Sequence, residues 1–138
     1  MADAEFKITN DNSDGIIRAM QAALPPILET CGLVAEGYAK RLCPVDTGRL
    51  RNSITHATKA NLGQASYTDN DGNRYTDGAA KETPDEYEVV IGTNVDYAQQ
   101  QELGNATHKV GQSPYLRPAL ADHIAQYKEI IEEGLKNA

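Results

Sequence analysis

Tryptophan is absent and phenylalanine occurs once, so no cluster of large apolar rings can carry the core. Leu, Ile, Val, Ala and seven tyrosines must do it instead. A buried Tyr needs a partner for its hydroxyl, and Tyr favours surfaces where one end stays wet. The tyrosine excess therefore leans toward contact surfaces. Cysteine is scarce: Cys31 and Cys43 stand alone. That excludes a disulfide framework and a zinc-finger pattern. Both read as small apolar packing residues of a reducing compartment. The three histidines, His56, His108 and His123, show no paired spacing and support no metal site. No Gly-rich phosphate loop, Gly-x-Ser-x-Gly elbow or His-Glu-x-x-His occurs. No cofactor, metal ligand or catalytic residue is read from the sequence. No apolar run approaches the roughly 20 residues of a membrane span. The N-terminus, from Met1 to Phe6, is acidic and lacks the apolar stretch of a secretory signal. These absences point to a protein made in a cytoplasm, or built into something assembled there, with no membrane partner.

Positive charge is also in deficit, with 13 Lys and Arg against 20 Asp and Glu, a net charge of −7. Such a chain is a poor general binder of nucleic acid, whose affinity comes from phosphate neutralisation. The charge is segregated. Lys40, Arg41, Arg49, Arg51 and Lys59 face Asp46 alone in residues 40–59, whereas residues 69–88 carry an acidic excess. Such blocks can pair within one chain, pair between subunits, or stand as two solvated surfaces.

The 138 residues fit a single domain, 1–138, with residues 1–12 as a flexible arm and 64–86 as a hairpin or loop extension. Ser13 or Asp14 can cap a first helix. Ile16, Ile17, Met20, Ala23 and Leu24 continue it at helical spacing. Pro25-Pro26 predicts a break or sharp kink. Helical spacing resumes from Ile27 to Leu42, and Pro44 stops it. Gly32 and Gly37 weaken this helix relative to Ala; close approach of another backbone, or plain tolerance, accounts for their use. Residues 50–58 read as a turn and a strand. Asn70-Asp71-Gly72 marks a hairpin tip. Tyr87, Val89 and Ile91 alternate with Glu88, Val90 and Gly92 as a strand. A short helix is expected over 96–104, ending at Gly104. From Arg117 or Pro118 to Lys136, Leu120, Ile124, Tyr127, Ile130, Ile131 and Leu135 predict one amphipathic helix with a buried stripe. The fold class is α+β: a long, kinked N-terminal helix, an antiparallel sheet of three to four strands with a projecting hairpin, and an amphipathic C-terminal helix.

Two tripeptide-scale motifs invite chemistry. Asp46-Thr47-Gly48 is the aspartic-protease tripeptide, but that chemistry needs two such Asp sharing a proton. One copy occurs, so a protease would have to be a dimer using Asp46. The structural reading is a turn in which Gly48 takes an unusual backbone angle. Asp69-Asn70-Asp71-Gly72-Asn73 begins like a calcium loop. The sixth and twelfth loop positions are Arg74 and Ala80, not Gly and Glu, so a hairpin tip is favoured.

Three compact patches remain. The first, Pro44-Val45-Asp46-Thr47-Gly48-Arg49-Leu50-Arg51-Asn52-Ser53-Ile54, follows the long helix. The second, Ile91-Gly92-Thr93-Asn94-Val95-Asp96-Tyr97-Ala98, continues through Glu102-Leu103-Gly104, its Asp96-Tyr97-Ala98 following a strand. The third, Pro114-Tyr115-Leu116-Arg117-Pro118-Ala119-Leu120, opens the last helix. In this order and spacing, over residues 14–136, the chain resembles the tail-component or head–tail joining family of long-tailed bacteriophages. It departs at Gln99-Gln100-Gln101, where the family carries an aromatic and an aliphatic residue, and at Asn105, where the family carries Thr.

The resemblance implies a structural virion protein of the phage neck. It implies a cyclic homo-oligomeric ring around the DNA channel at the head–tail junction that helps complete or attach the tail. It also implies assembly in the bacterial host cytoplasm. The implied partners are further copies, connector or portal-side neck proteins, and tail tube or tail terminator proteins. DNA passes through without sequence-specific binding. Asp46, Thr47, Gly48, Leu50, Ser53, Asp96, Tyr97, Ala98, Glu102, Gly104, Pro114, Tyr115, Leu116 and Pro118 are then subunit-interface or structural residues. A tail terminator or connector stopper is the neighbouring alternative. A DNA-contacting module using Lys40, Arg41, Arg49 and Arg51 is a third class.

Overall fold

A computed structural model describes residues 12–45, 48–78, 83–95, 97–103 and 114–138. The first helix, α1, runs unbroken from Ser13–Leu42 over 30 residues. The tandem prolines lie inside it and do not end it. They deprive the Gln21 and Ala22 carbonyls of amide donors. Gln21 and Ala22 are exposed, so water can satisfy those carbonyls. Neither Ser13 nor Asp14 caps the helix; Asn12 holds the cap position without a side-chain bond.

Past Pro44 the chain forms a short helix, α2 (Arg49–Ser53), where a turn was expected, and then strand β1 (Thr55–Ala57). Strands β2 (Tyr67–Thr68), β3 (Arg74–Tyr75) and β4 (Val90–Gly92) follow. The four strands form two separate antiparallel pairs rather than one sheet. In the first, Thr55 lies opposite Gly92 and Ala57 opposite Val90. In the second, Tyr67 lies opposite Tyr75. The loop between β1 and β2 folds tightly on itself. Thr58 N–H donates to Asn61 O at 2.7 Å, and Gln64 N–H donates to Thr55 Oγ1 at 3.0 Å. That turn keeps β2 off the edge of β1.

The β2–β3 hairpin does not project freely. Asn52 Nδ2 donates to Thr68 O at 2.8 Å, and Arg51 donates to Asn70 at 3.0 Å. Tyr67 sits in the core. The hairpin is thereby bound to α2.

After α3 (Ala98–Leu103), the expected single terminal helix is divided into α4 (Leu116–Ala121) and α5 (Ile124–Lys136). The break is at His123, whose φ of −128° is not helical. Its ring stacks on Tyr38 of α1, with centroids 3.6 Å apart and planes 1° from parallel. Tyr38 also donates to Gln126, and Tyr127 Oη donates to Ala119 O at 2.5 Å across the corner. A tertiary stack decides where the helix stops.

Helix α1 is central, packing against α4 and α5 and also against β1, β4 and α2. The core joins Ala39, Cys43, Leu50, Ile54, Tyr67, Val95, Ala98, Tyr115 and Ala119. Helix α5 contributes no fully buried residue. It meets α1 through Gln126 and through Gly134, which faces Ile27. Leu120 and Ile124, expected in the buried stripe, lie on the open side and are exposed.

Candidate functional site

The three motif patches meet in one place. The first enters through Gly48, the residue before α2, at φ +83°. This left-handed angle favours Gly. A Cβ there would lie 2.5 Å from Asn70 Oδ1. Leu50 is then buried, as is Ser53. The Ser53 hydroxyl donates to Leu50 O at 2.6 Å and shares a hydrogen bond with the Thr93 hydroxyl at 2.5 Å. Thr93 Oγ1 in turn accepts the Val95 N–H at 3.1 Å, which shapes the backbone leading to Tyr97 and Ala98.

The second and third patches are joined through Glu102. Its carboxylate accepts the backbone N–H groups of Tyr115 at 2.7 Å, Leu116 at 3.0 Å and Arg117 at 2.8 Å. These are among the amides that a helix start leaves without intrahelical partners. Burial would raise the Glu102 carboxyl, but the three N–H donors and the nearby Arg117 charge hold it below the usual range. Tyr115 is 0% exposed, and its hydroxyl reaches Ala98 O at 3.4 Å. Burial pushes that phenol far above its usual range. Ala119, one turn on, is buried beside Ala39 and Cys43 in the same cluster.

Of the residues singled out from the sequence, the structure buries Gly48, Leu50, Ser53, Ala98 and Tyr115. Glu102, Pro114, Leu116 and Pro118 are half-buried, and Tyr97 is exposed. Asp46, Thr47, Asp96 and Gly104 lie outside the described residues. The work of the buried set within this chain is to lock α2, α3 and α4 together. No reacting group is aimed into a cleft by these contacts. Both thiols are packed away: burial raises Cys31, and pushes Cys43 up to about 11. Among the described residues, no group of three or more His, Cys, Asp or Glu is placed to hold a metal.

The family model described as "Bacteriophage HK97-gp10, putative tail-component" matches residues 7–104. That is well over half of the chain. The chain belongs to the HK97-gp10-like family of phage tail components. The matched span takes in the first two patches; the third, 114–120, lies beyond it. No curated protein and no solved structure gives a significant match. As a tail component, this HK97-gp10-like chain is a virion protein that works in contact with other virion proteins. Among the described residues, no helix is long and apolar enough to cross a membrane.

The segregated charges of this tail component pair partly within the chain. Arg49 meets Asp77 at 3.2 Å, and Lys40 meets Glu36 at 3.3 Å. Arg49 also lies 4.1 Å over the Tyr75 ring, and Tyr67 Oη donates to Asp77 at 2.6 Å. Asp69, at the would-be calcium loop, turns its carboxylate onto its own hairpin. It accepts the Asp71 and Asn73 amides, each at 2.9 Å, and Tyr75 Oη at 3.1 Å. Hydrogen bonding, led by the Asn73 side chain, lowers its pKa.

One polar cluster escaped the sequence reading. His56 Nε2 lies 2.9 Å from Glu29 and Nδ1 lies 3.2 Å from Glu36. Glu29 also accepts Thr58 Oγ1 at 2.6 Å, and Glu36 accepts the His56 N–H at 3.1 Å. Burial raises the Glu29 carboxyl, but the hydrogen bonds of Thr58, His56 and Asn61 and the His56 charge bring it below its ordinary value. The available signal was Glu29-x-x-Gly32-x-x-x-Glu36. This spacing places two acids on one helix face with a notch between them. Its role is to fasten β1 to α1.

Proposed function

We propose that this tail component is a structural protein of the phage neck. It forms a homo-oligomeric ring at the head–tail junction, around the DNA channel, and helps complete or attach the tail. The observation that carries the reading is the use made of the motif residues. Leu50, Ser53, Ala98, Glu102 and Tyr115 brace elements against one another. Apolar side chains such as Ile17, Leu120 and Ile124 are left on the outside. A tail component built this way is suited to subunit contact rather than turnover. The net charge of −7 suits a channel that lets DNA slide without sticking. Lys40 and Arg49, two cations of the DNA-contacting alternative, are already paired with Glu36 and Asp77.

The test is an image of the assembled particle at the neck, together with a phage carrying a deletion of this reading frame. The ring reading expects several copies encircling the channel between head and tail, and unjoined heads and tails in the deletion. Density for this chain at the tail tip, or normal joining without it, refutes the reading. Peptidase activity abolished by Asp46→Asn would instead establish the dimeric protease.

A further inference from the structure

We infer that residues 4–9 of one copy add as a strand to the open edge of β4 in a neighbouring copy, and so tie the ring together. The inference deepens the neck-ring reading and rests on it. The His56 N–H donates to Glu36 on α1, at 3.1 Å, and not across to β4. In an antiparallel ladder, facing residues exchange both of their backbone bonds or neither. His56 faces Ile91, so the Ile91 N–H and C=O also point away from β1. Among the described residues, neither group has a hydrogen-bond partner. Ile91 is only half-buried. A strand edge with unpaired backbone groups is a template for one more strand.

The face beside that edge has room for side chains. Val90 and Gly92 lie opposite Ala57 and Thr55, so all four share one face. A groove runs there, lined also by Thr83 and Pro84. Val90 is 40% exposed, and a Cβ on Gly92 would meet nothing within 4 Å. A Gly at a strand edge leaves a gap that an aromatic ring on the adjoining strand can cover. The sequence supplies the occupant. Ala4, Phe6 and Ile8 alternate with Glu5, Lys7 and Thr9, the period of a strand with one apolar face. Phe6 is the one Phe of the chain. Set antiparallel with Lys7 opposite Ile91, the segment exchanges both backbone bonds with Ile91. It then puts Phe6 beside Gly92 and Ile8 beside Val90.

The segment cannot reach the sheet of its own chain. Gly32 of α1 abuts Val89, just ahead of β4. Gly32 is 19 residues along α1 from Ser13, about 28 Å at 1.5 Å per residue. Strand β4 lies farther on, since Val95, which follows it, packs in one cluster with Ala39. Phe6 is seven residues before Ser13. Seven residues fully extended span about 25 Å at most. Ile8, nearer to Ser13, falls shorter still. The strand is therefore given to another copy. A donated strand makes a heterologous contact, the kind that closes into a ring when the rotation allows.

The test measures binding of a labelled synthetic peptide of residues 2–11 by fluorescence anisotropy. Its target is the full chain carrying Phe6→Asp and Ile8→Asp, which disables the competing segment. Saturable binding is expected, and none for a peptide with the same two substitutions. In the target, Gly92→Glu places a charge where Phe6 would sit, and Ile91→Pro removes the outward N–H without costing a bond to β1. Each should keep the circular dichroism of its parent and weaken binding by about tenfold or more. In the otherwise wild-type chain, Ile8→Cys with Val90→Cys should give covalent dimers and longer chains on oxidation, seen on a non-reducing gel. Absence of saturable binding overturns the inference. So does binding undiminished by Gly92→Glu, which settles the matter even if Ile91→Pro fails to fold. Oxidised double-cysteine protein that runs only as single chains overturns it too. The neck-ring reading is judged separately by the particle image: a ring whose copies are not joined through residues 4–9 defeats this inference alone, and peptide binding by a chain absent from the neck defeats the ring alone.

Discussion

Glu102 accepts the backbone N–H of Tyr115 at 2.7 Å, and so ties the end of α3 to the start of α4. The same carboxylate takes the next two amides, so one side chain serves as the cap of α4. Removing it leaves three N–H groups to find water at a half-buried helix start. A lost cap typically costs about 1–2 kcal/mol. Glu102→Ala is therefore expected to lower the melting temperature by several degrees, and Glu102→Gln by less. Differential scanning calorimetry on both variants checks this. Equal melting of Glu102→Ala and wild type would show that the cap contributes nothing.

Tyr115 fills the centre of the junction that Glu102 caps. Its long hydroxyl contact, 3.4 Å to Ala98 O, is a weak bond. Its ring is fully enclosed. Tyr115→Phe should cost less than about 1 kcal/mol, whereas Tyr115→Ala should cost about 3–5 kcal/mol through the cavity it leaves. Urea unfolding separates the two. A costly Tyr115→Phe would mean that the hydroxyl, not the ring, carries the site.

Acid should loosen the fold from several points at once. Glu29, Asp77 and Glu102 are all held below their ordinary carboxyl values of 4.5, 3.8 and 4.5. A lowered folded-state pKa means that the native state binds the proton less readily than the unfolded chain. The stability so gained is complete above the unfolded value and is lost as pH falls through the folded one. The urea midpoint is therefore expected to stay level down to about pH 5 and to fall below about 4.5. Glu29→Gln should be less stable than wild type at pH 7 and converge on it in acid. Two curves that stay parallel down to pH 3 would remove Glu29 from the account.

Local chemistry made much of this fold legible, and tertiary contacts account for what was not. Asp71-Gly72 announced the hairpin because a positive φ at the tip is a local demand, and Gly72 takes +86°. The periodicity after Pro114 announced helix, yet it could not show the break at His123, which is set by a ring 85 positions earlier. Pro25-Pro26 argued for a break because propensity counts lost donors. Exposure of that stretch lets solvent meet the loss, so α1 continues. The motif residues were legible as a set, but their work was not. Nothing in Glu102 or Tyr115 alone shows that one caps the segment containing the other.

Gly32 and Gly37, both inside α1, divide along the same line, and they can be told apart by one substitution each. Either Gly costs helix propensity, about 1 kcal/mol relative to Ala. At Gly37, a Cβ would meet only Arg41 Nη2, at 3.8 Å, an ordinary contact with a flexible group. Gly37→Ala is expected to stabilise by about 0.5–1 kcal/mol. At Gly32, a Cβ would lie 2.7 Å from His56 Cδ2 and 2.8 Å from Val89 Cγ2. The imidazole cannot step aside cheaply, because Glu29 and Glu36 hold both of its nitrogens. Moving it would break the link between α1 and β1. Gly32→Ala should therefore destabilise by about 1–3 kcal/mol despite the better propensity. Shortening the partner should reduce the cost: in a His56→Ala background only the Val89 contact remains, so Gly32→Ala should destabilise less than it does in the wild-type chain. Chemical unfolding of the four chains gives the coupling directly. Additive effects of the two substitutions would mean that the notch at Gly32 is not there to receive His56.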